Sequence, residues 1–208
     1  MHILVFGDSI TQGFYDKEKG GWANRLFIDV SASLESYEDF IGVFNLGIDS
    51  ETTTGLLKRI ENEIVARTSN EMVIIFDIGG NDTFKDNDTG KNAVSFKVFS
   101  ENYLKLITTA KKYGKVFCLG LHDFNPEQAK LSPWYDDFDM SEKDDKQYDQ
   151  EIQRLAQAND AHYLSLKGIL SVDFQKYSHD GDHPTSQGHQ LIYERVKGEL
   201  EKAGIMQL

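Results

Sequence analysis

The chain has 208 residues, of which 39% are apolar and 27% charged, with only 3 prolines. That length supports one sizeable core and is short for two, and that balance excludes a disordered chain. The net charge of −12, from 22 basic and 34 acidic residues, repels polyanions, so nucleic acid and anionic membrane surfaces are not expected partners.

The first predicted strand is Ile3–Phe6, an apolar run too short for a helix and suited to burial on both faces. The stretch "FGDSITQG" follows, with the polar Ser9 bracketed by Gly7 and Gly13. Three readings compete for Ser9: a nucleophile, a residue of a phosphate-cradling loop, or a helix N-cap. A helix is predicted over Trp22–Leu34, then a strand over Ile41–Asn45 that leads into "NLGIDSETT", with Gly47 just past its end. A second helix is expected over Gly55–Arg67 and a third strand over Met72–Ile78, running into "GGND" at residues 79–82.

The helical pattern over Ala93–Lys112 shows its period best. Phe96, Phe99, Tyr103, Ile107 and Ala110 recur at three or four residues and form one apolar stripe. The next strand, Val116–Leu121, carries the single cysteine, Cys118, which cannot form an internal disulfide and reads as a small core residue. The segment His122–Asp145 then departs from the alternation. It holds two of the three prolines, a run of Asp, and Trp134, Tyr135 and Phe138. An irregular insertion beside strand ends reads as a lid or substrate wall, with Trp134 and Tyr135 as candidate substrate contacts. Its acidic run lacks the EF-hand spacing and reads as a solvated loop. A helix over Asp144–Gln157 and a strand over His162–Leu166 follow. The chain closes with "DGDHPTSQGH" at residues 180–189 and a helix over Ser186–Lys202, whose Ile192, Val196 and Leu200 face one side.

Strand–helix alternation without repeats or a Pro/Gly/Ser linker predicts one domain, residues 1–208, with a doubly wound parallel sheet of about five strands between two helical layers. In such a sheet the first three motifs lie at one edge, at the carboxyl ends of neighbouring strands, and the fourth reaches that edge if the last helix starts there. No run of about 18 apolar residues offers a membrane span. Cleavage of a signal peptide from this chain would remove the first strand and Ser9, so a cytoplasmic location is expected unless a leader was removed earlier.

The motifs suggest their own chemistry. A serine hydroxyl is a poor nucleophile until a base takes its proton, and histidine is the side chain that titrates near neutrality. A carboxylate on the far ring nitrogen fixes the tautomer. The stretch "DGDHP" supplies His183 with two acidic neighbours, Asp180 and Asp182. Acyl transfer also needs donors for a developing oxyanion, and the Ser9 N–H, the Gly47 N–H and the Asn81 side-chain amide are on offer. Taken singly, Gly47 could merely permit a turn and Asn81 merely cap one.

With these four motifs in this order, the chain resembles the SGNH hydrolases, also called the GDSL-like lipase/acylhydrolase family. The four letters map onto Ser9, Gly47, Asn81 and His183, with "GDSI" here in place of the commoner "GDSL". The resemblance implies a three-layer α/β/α, flavodoxin-like fold and a serine esterase or lipase acting through an acyl-serine intermediate. It selects Asp180, three positions before His183, as the carboxylate of the triad and sets Asp182 aside. It assigns the oxyanion hole to the Ser9 and Gly47 N–H groups and the Asn81 side chain. No metal or organic cofactor is implied, and the partner is a small-molecule acyl ester. An acyl thioesterase or a carbohydrate acetylesterase would use the same apparatus. A non-catalytic nucleotide- or carbohydrate-binding module is the remaining alternative, although the chain lacks the Walker Gly-Lys-Ser/Thr and the Rossmann glycine triplet. One scaffold of this kind serves many esters, so the fold does not choose among them.

Overall fold

A computed structural model describes residues 1–33 and 40–206. Its strands in chain order are β1 (His2–Gly7), β2 (Gly42–Gly47), β3 (Met72–Asp77), β4 (Lys85–Asp86), β5 (Lys115–Leu119), β6 (Phe138–Asp139) and β7 (His162–Leu164). Five of them form a parallel sheet in the order β2-β1-β3-β5-β7, which is the flavodoxin-like arrangement. The order reverses at β1, so the loops leaving β1 and β3 diverge and open a crevice at the carboxyl edge.

The central strands explain the three layers. Successive side chains of a strand point to opposite faces. Ile3 and Val5 of β1 therefore join one core cluster, beneath the helices Trp22–Ser33 and Ser186–Lys202. Leu4 and Phe6 join the other, beneath Ile60–Ala66, Phe96–Ala110 and Glu142–Ala158. The predicted stripe is buried along Phe99, Tyr103, Ile107 and Ala110, with Phe96 partly covered. Each large apolar side chain so buried contributes about 1.5–3 kcal/mol of transfer free energy. Cys118 lies within this second cluster, and burial pushes its thiol up to about 12, which leaves it inert.

Several boundaries differ from the sequence expectation. The helix expected over Gly55–Arg67 is two helices, Thr53–Leu56 and Ile60–Ala66. Between them Arg59 turns back, donating to the Leu46 carbonyl at 2.7 Å and pairing with Glu51. The helix expected from Ala93 begins at Phe96, because the Ala93 and Val94 amides are already donated to the Phe84 and Asp82 carbonyls. The helix expected from Asp144 begins at Glu142, where the Ser141 hydroxyl caps the Asp144 amide and three acidic residues face the positive end of the helix dipole. The strands expected to reach Leu121 and Leu166 stop at Leu119 and Leu164, as the Leu121 amide leaves the ladder for Asp149. Leu34, the expected end of the first long helix, lies outside the described residues.

The insertion is not irregular. It contains a helix at Pro126–Ala129, a 3-10 turn at Pro133–Tyr135, and β6, which pairs antiparallel with β4. Its peptide groups thus find partners while it crosses the carboxyl edge. Among the described residues, no helix is long and apolar enough to cross a membrane.

Candidate active site

The first strand delivers the serine on a tight turn. Asp8 caps the one-turn helix Ser9–Gln12 by accepting the Ile10 N–H at 3.1 Å. Gly13, at φ +101°, closes the turn in the left-handed region that glycine tolerates best. The cap of this turn is therefore Asp8, and Ser9 is left as its first helical residue. Ser9 is only 5% exposed, yet its Oγ lies 3.0 Å from Nε2 of His183, a residue 174 positions later.

The loop before the last helix orients that imidazole. Asp180 Oδ2 faces Nδ1 of His183 at 2.8 Å, and Oδ1 accepts the His183 main-chain N–H at 2.8 Å. An ionised carboxylate can only accept, so Nδ1 carries the ring proton and Nε2 presents its lone pair to the Ser9 hydroxyl. Burial raises Asp180, but the hydrogen bond and charge of His183 outweigh it and hold the carboxyl below its ordinary value. Burial opposes the imidazolium of His183, yet the Asp180 hydrogen bond and the charges of Asp182 and Asp180 lift the ring above its ordinary value.

Beside this pair lies a cavity of about 270 Å³. Ser9, Asn81 and His183 line its polar side, and Phe14, Phe84, Ala93, Tyr135 and Phe138 supply apolar walls. The Phe14 ring packs 5.4 Å from that of His183, while its carbonyl accepts from Nε2 of the buried His189 at 2.9 Å. Asn81 donates one amide hydrogen to the Glu51 carbonyl at 3.1 Å and keeps a second at the cavity wall. Its neighbour Asp82 is fully buried and clamps the two loops together, accepting the Thr53 amide at 3.0 Å as well as its hydroxyl. Burial pushes Asp82 up to about 7.

The structure brings Ser9, Asn81, Asp180, His183 and Tyr135 to one place. It does not bring the Gly47 N–H there. That amide donates to Asn45 Oδ1 at 3.0 Å, and Gly47 does not line the cavity. A Cβ at 47 would lie 2.8 Å from the Asp8 carbonyl oxygen and nearer still to the Gln12 amide. Glycine is required there so that β2 can press against the turn that carries Ser9. The loop after β2 reaches the cavity through Asp49, Ser50 and Thr52, and the φ of +58° at Ser50 is unusual for a residue with a side chain. Of the two aromatic candidates, Tyr135 is buried on the cavity wall, and the Trp134 side chain lies outside what the structure describes.

Sequence reasoning also passed over a second Asp–His pair. Asp182 is not idle: its Oδ1 accepts from Nε2 of His122 at 3.1 Å and its Oδ2 from the Tyr135 hydroxyl at 3.0 Å. The two members stand 60 residues apart, and no local motif links them. A larger cleft of about 500 Å³ runs along Asp123, Asp145, Asp149 and Lys167. Lys167 is committed to Asp145 and the His122 carbonyl, and the cleft has no serine–histidine pair like that of the smaller cavity. Among the described residues, no group of three or more His, Cys, Asp or Glu side chains is placed to hold a metal ion.

The sequence profile of the GDSL-like Lipase/Acylhydrolase family matches residues 5–191. The chain belongs to that family. It is an ester-cleaving hydrolase, and its substrate is a small-molecule ester. No curated protein matches the chain. Among solved structures, an alpha/beta hydrolase enzyme from the metagenome of Lake Arreo, Spain, is similar at 19% identity and TM-score 0.73, over 100% of this chain and 96% of that one. An acetyl xylan esterase from Geobacillus stearothermophilus, in a variant form, is similar at 18% identity and TM-score 0.73, with the same coverage. A second structure of that esterase gives 18% identity and TM-score 0.72, over 96% of this chain and 93% of that one. These likenesses establish the shared fold of the GDSL-like hydrolase.

Proposed function

We propose that the chain hydrolyses carboxylic esters of short acyl groups through an acyl-serine intermediate. One observation carries the reading: Ser9 Oγ lies 3.0 Å from Nε2 of an imidazole whose other nitrogen is held by Asp180 at 2.8 Å, beside a cavity. Ser9 Oγ attacks the acyl carbonyl carbon while its proton passes to His183 Nε2. The oxyanion that forms is received by the Ser9 N–H and the Asn81 amide. Collapse breaks the ester C–O bond, and His183 returns the proton to the departing alkoxide. Water, deprotonated by the same nitrogen, then releases the acid and restores Ser9. Asp180 stays ionised throughout and stabilises the imidazolium.

The size of the cavity supports a short acyl group. At about 270 Å³ it falls below the range of about 300–1,000 Å³ usual for drug-sized ligands. Its lining carries Asp49 and Asp182 and neither lysine nor arginine, which disfavours highly anionic acyl-coenzyme A. Acetylated sugars are a second, narrower reading, favoured by the same small cavity and by the likeness to the acetyl xylan esterase. A fluorophosphonate probe, p-nitrophenyl esters from acetate to dodecanoate, and acetylated xylo-oligosaccharides test both. We expect labelling at Ser9, fastest turnover with the shortest esters, and a Ser9→Ala protein of unchanged melting temperature without turnover. Substantial turnover by Ser9→Ala would point to another nucleophile, and a preference for dodecanoate would overturn the short-acyl reading.

A further inference from the structure

The sequence comparison with the family sets Asp182 aside, and the chemistry above does not use it. Yet Asp182 is buried, and every polar atom it carries is engaged. Its amide donates to Asp180 Oδ1 at 3.1 Å, its Oδ1 and its carbonyl both accept from His122 Nε2, and its Oδ2 accepts from the Tyr135 hydroxyl. Since that hydroxyl spends its hydrogen on Asp182, its oxygen is turned towards Nδ1 of His183, 3.4 Å away. At that distance it is a secondary acceptor for a proton held chiefly by Asp180.

The rest of the insertion converges on the same loop. The Asn125 amide donates to the Gly181 carbonyl at 2.7 Å, and a Cβ on Gly181 would lie 2.7 Å from the Asn125 carbonyl oxygen. The insertion therefore grips the loop that carries Asp180 and His183 from three sides, through His122, Asn125 and Tyr135.

We propose that Asp182 is a positioning residue for the imidazole of His183: clamped by His122, it fixes the Tyr135 hydroxyl beside Nδ1 as a second acceptor next to Asp180. The inference rests on the reading of Ser9 and His183 as nucleophile and base. Its consequence is that the ring is held by two carboxylates, one directly and one through a phenol, so that Nε2 stays aimed at Ser9. The clamp is charged at working pH. Burial disfavours both ions, but their mutual hydrogen bond and attraction outweigh it, holding Asp182 near 2 and lifting His122 to about 9. The other charged or titratable groups facing this assembly are Asp8, Tyr15 and His189 around His183, and Lys167, Asp77 and Asp145 around His122. None of these intervenes in the hydrogen bond from the Tyr135 hydroxyl to Asp182.

The test uses the full chain and the second-order rate of fluorophosphonate labelling as a function of pH, with p-nitrophenyl acetate kinetics alongside. Asp182→Asn removes a negative charge that favours the imidazolium, so the acid limb moves to lower pH. Tyr135→Phe removes one oxygen and keeps the cavity wall. Its plateau rate and kcat fall about tenfold, as for a base slightly misaimed, while KM stays within twofold. Its acid limb moves less than that of Asp182→Asn, because no charge is lost. A merely structural tether would lower the melting temperature of Tyr135→Phe and leave its plateau in place, whereas the limb shift of Asp182→Asn follows from the lost charge in either case. If Asp182→Asn does not fold, Tyr135→Phe decides alone. A Tyr135→Phe protein that matches the wild type in rate at every pH overturns the proposal. The wild-type control separates the two readings: if Ser9 is not labelled at all, the hydrolase mechanism fails first, and if it is labelled while Tyr135→Phe behaves as wild type, only the positioning role fails.

Discussion

Asp180 holds His183 at two points, the main-chain N–H through Oδ1 and the ring Nδ1 through Oδ2, both at 2.8 Å. The substitution Asp180→Asn keeps the first contact, since an amide oxygen still accepts. The second then sets an NH2 group against Nδ1–H, two donors facing each other, and the ring relieves this by moving its proton to Nε2. That tautomer cannot take a proton from Ser9. We expect kcat to fall by about 10⁴ with little change in melting temperature, the pattern of a lost triad carboxylate. Steady-state kinetics on p-nitrophenyl acetate measure this, and a loss below tenfold would remove Asp180 from the triad.

The pH dependence follows from the same ring. His183 accepts a proton only when neutral, and its surroundings lift it above the ordinary 6.5. Hydrolysis should therefore rise with pH through a midpoint above 6.5, and it should decline on acidification while the protein is still folded. Asp180, held below its ordinary value, stays ionised across that window and adds no second limb there. A kcat/KM profile that is level from about pH 8 down to about pH 5 would exclude His183 as the base.

How far these arguments were available from the sequence differs by residue. Residues 3–6 of β1 and 72–76 of β3 are legible as strands because a strand covered on both faces must be apolar at each covered position. The Ser186–Lys202 helix is legible because its buried residues keep a helical period. Ser9 and Asn81 stand out as polar residues in glycine-bearing turns just past β1 and β3, and His183 stands out for the acidic neighbours Asp180 and Asp182 in the loop before the last helix. Gly47 misleads because a missing Cβ admits a ligand or a neighbouring backbone equally well, and only the packing of Asp8 and Gln12 decides. The His122–Asp182 pair is invisible for another reason: a buried ion pair between distant loops leaves no periodicity in the chain. The break at residues 57–59 was hidden too, since Arg59 suits a helix locally and its partners, Leu46 and Glu51, lie outside that window.

Asn81 joins the cavity to the loop after β2 through the Glu51 carbonyl. Its remaining amide hydrogen is the group available to a developing oxyanion. Replacing it in Asn81→Ala should lower kcat by about 10²–10³, with KM changed only modestly, as when one preorganised donor is lost. An effect confined to KM would make Asn81 a substrate-binding residue instead.

Gly47→Ala distinguishes a packing glycine from a donor glycine. The added methyl meets the Asp8 carbonyl and the Gln12 amide, which are backbone groups that cannot rotate away. The substitution should destabilise the fold by about 1–3 kcal/mol, in the range of overpacked positions, and should displace the turn that carries Ser9. Thermal or chemical denaturation measures it. A protein of wild-type stability with impaired kcat would return Gly47 to the oxyanion hole.

Asp8→Asn probes the proton held beneath Ser9. Burial, reinforced by the nearby charge of Asp77, pushes the Asp8 carboxyl up to about 8 from its ordinary 3.8. Between those values the folded state holds a proton that the unfolded chain has released. The stabilising contribution is thus complete below about pH 4 and disappears as the pH rises through about 8. Asparagine keeps the oxygen that caps the Ile10 amide and has no such proton to lose. The Asp8→Asn protein should therefore gain on the wild type as the pH rises from about 5 to about 9, its advantage in unfolding free energy widening at each step. Urea denaturation across that range measures the difference, and two curves that run parallel would show that Asp8 is ionised in the folded protein.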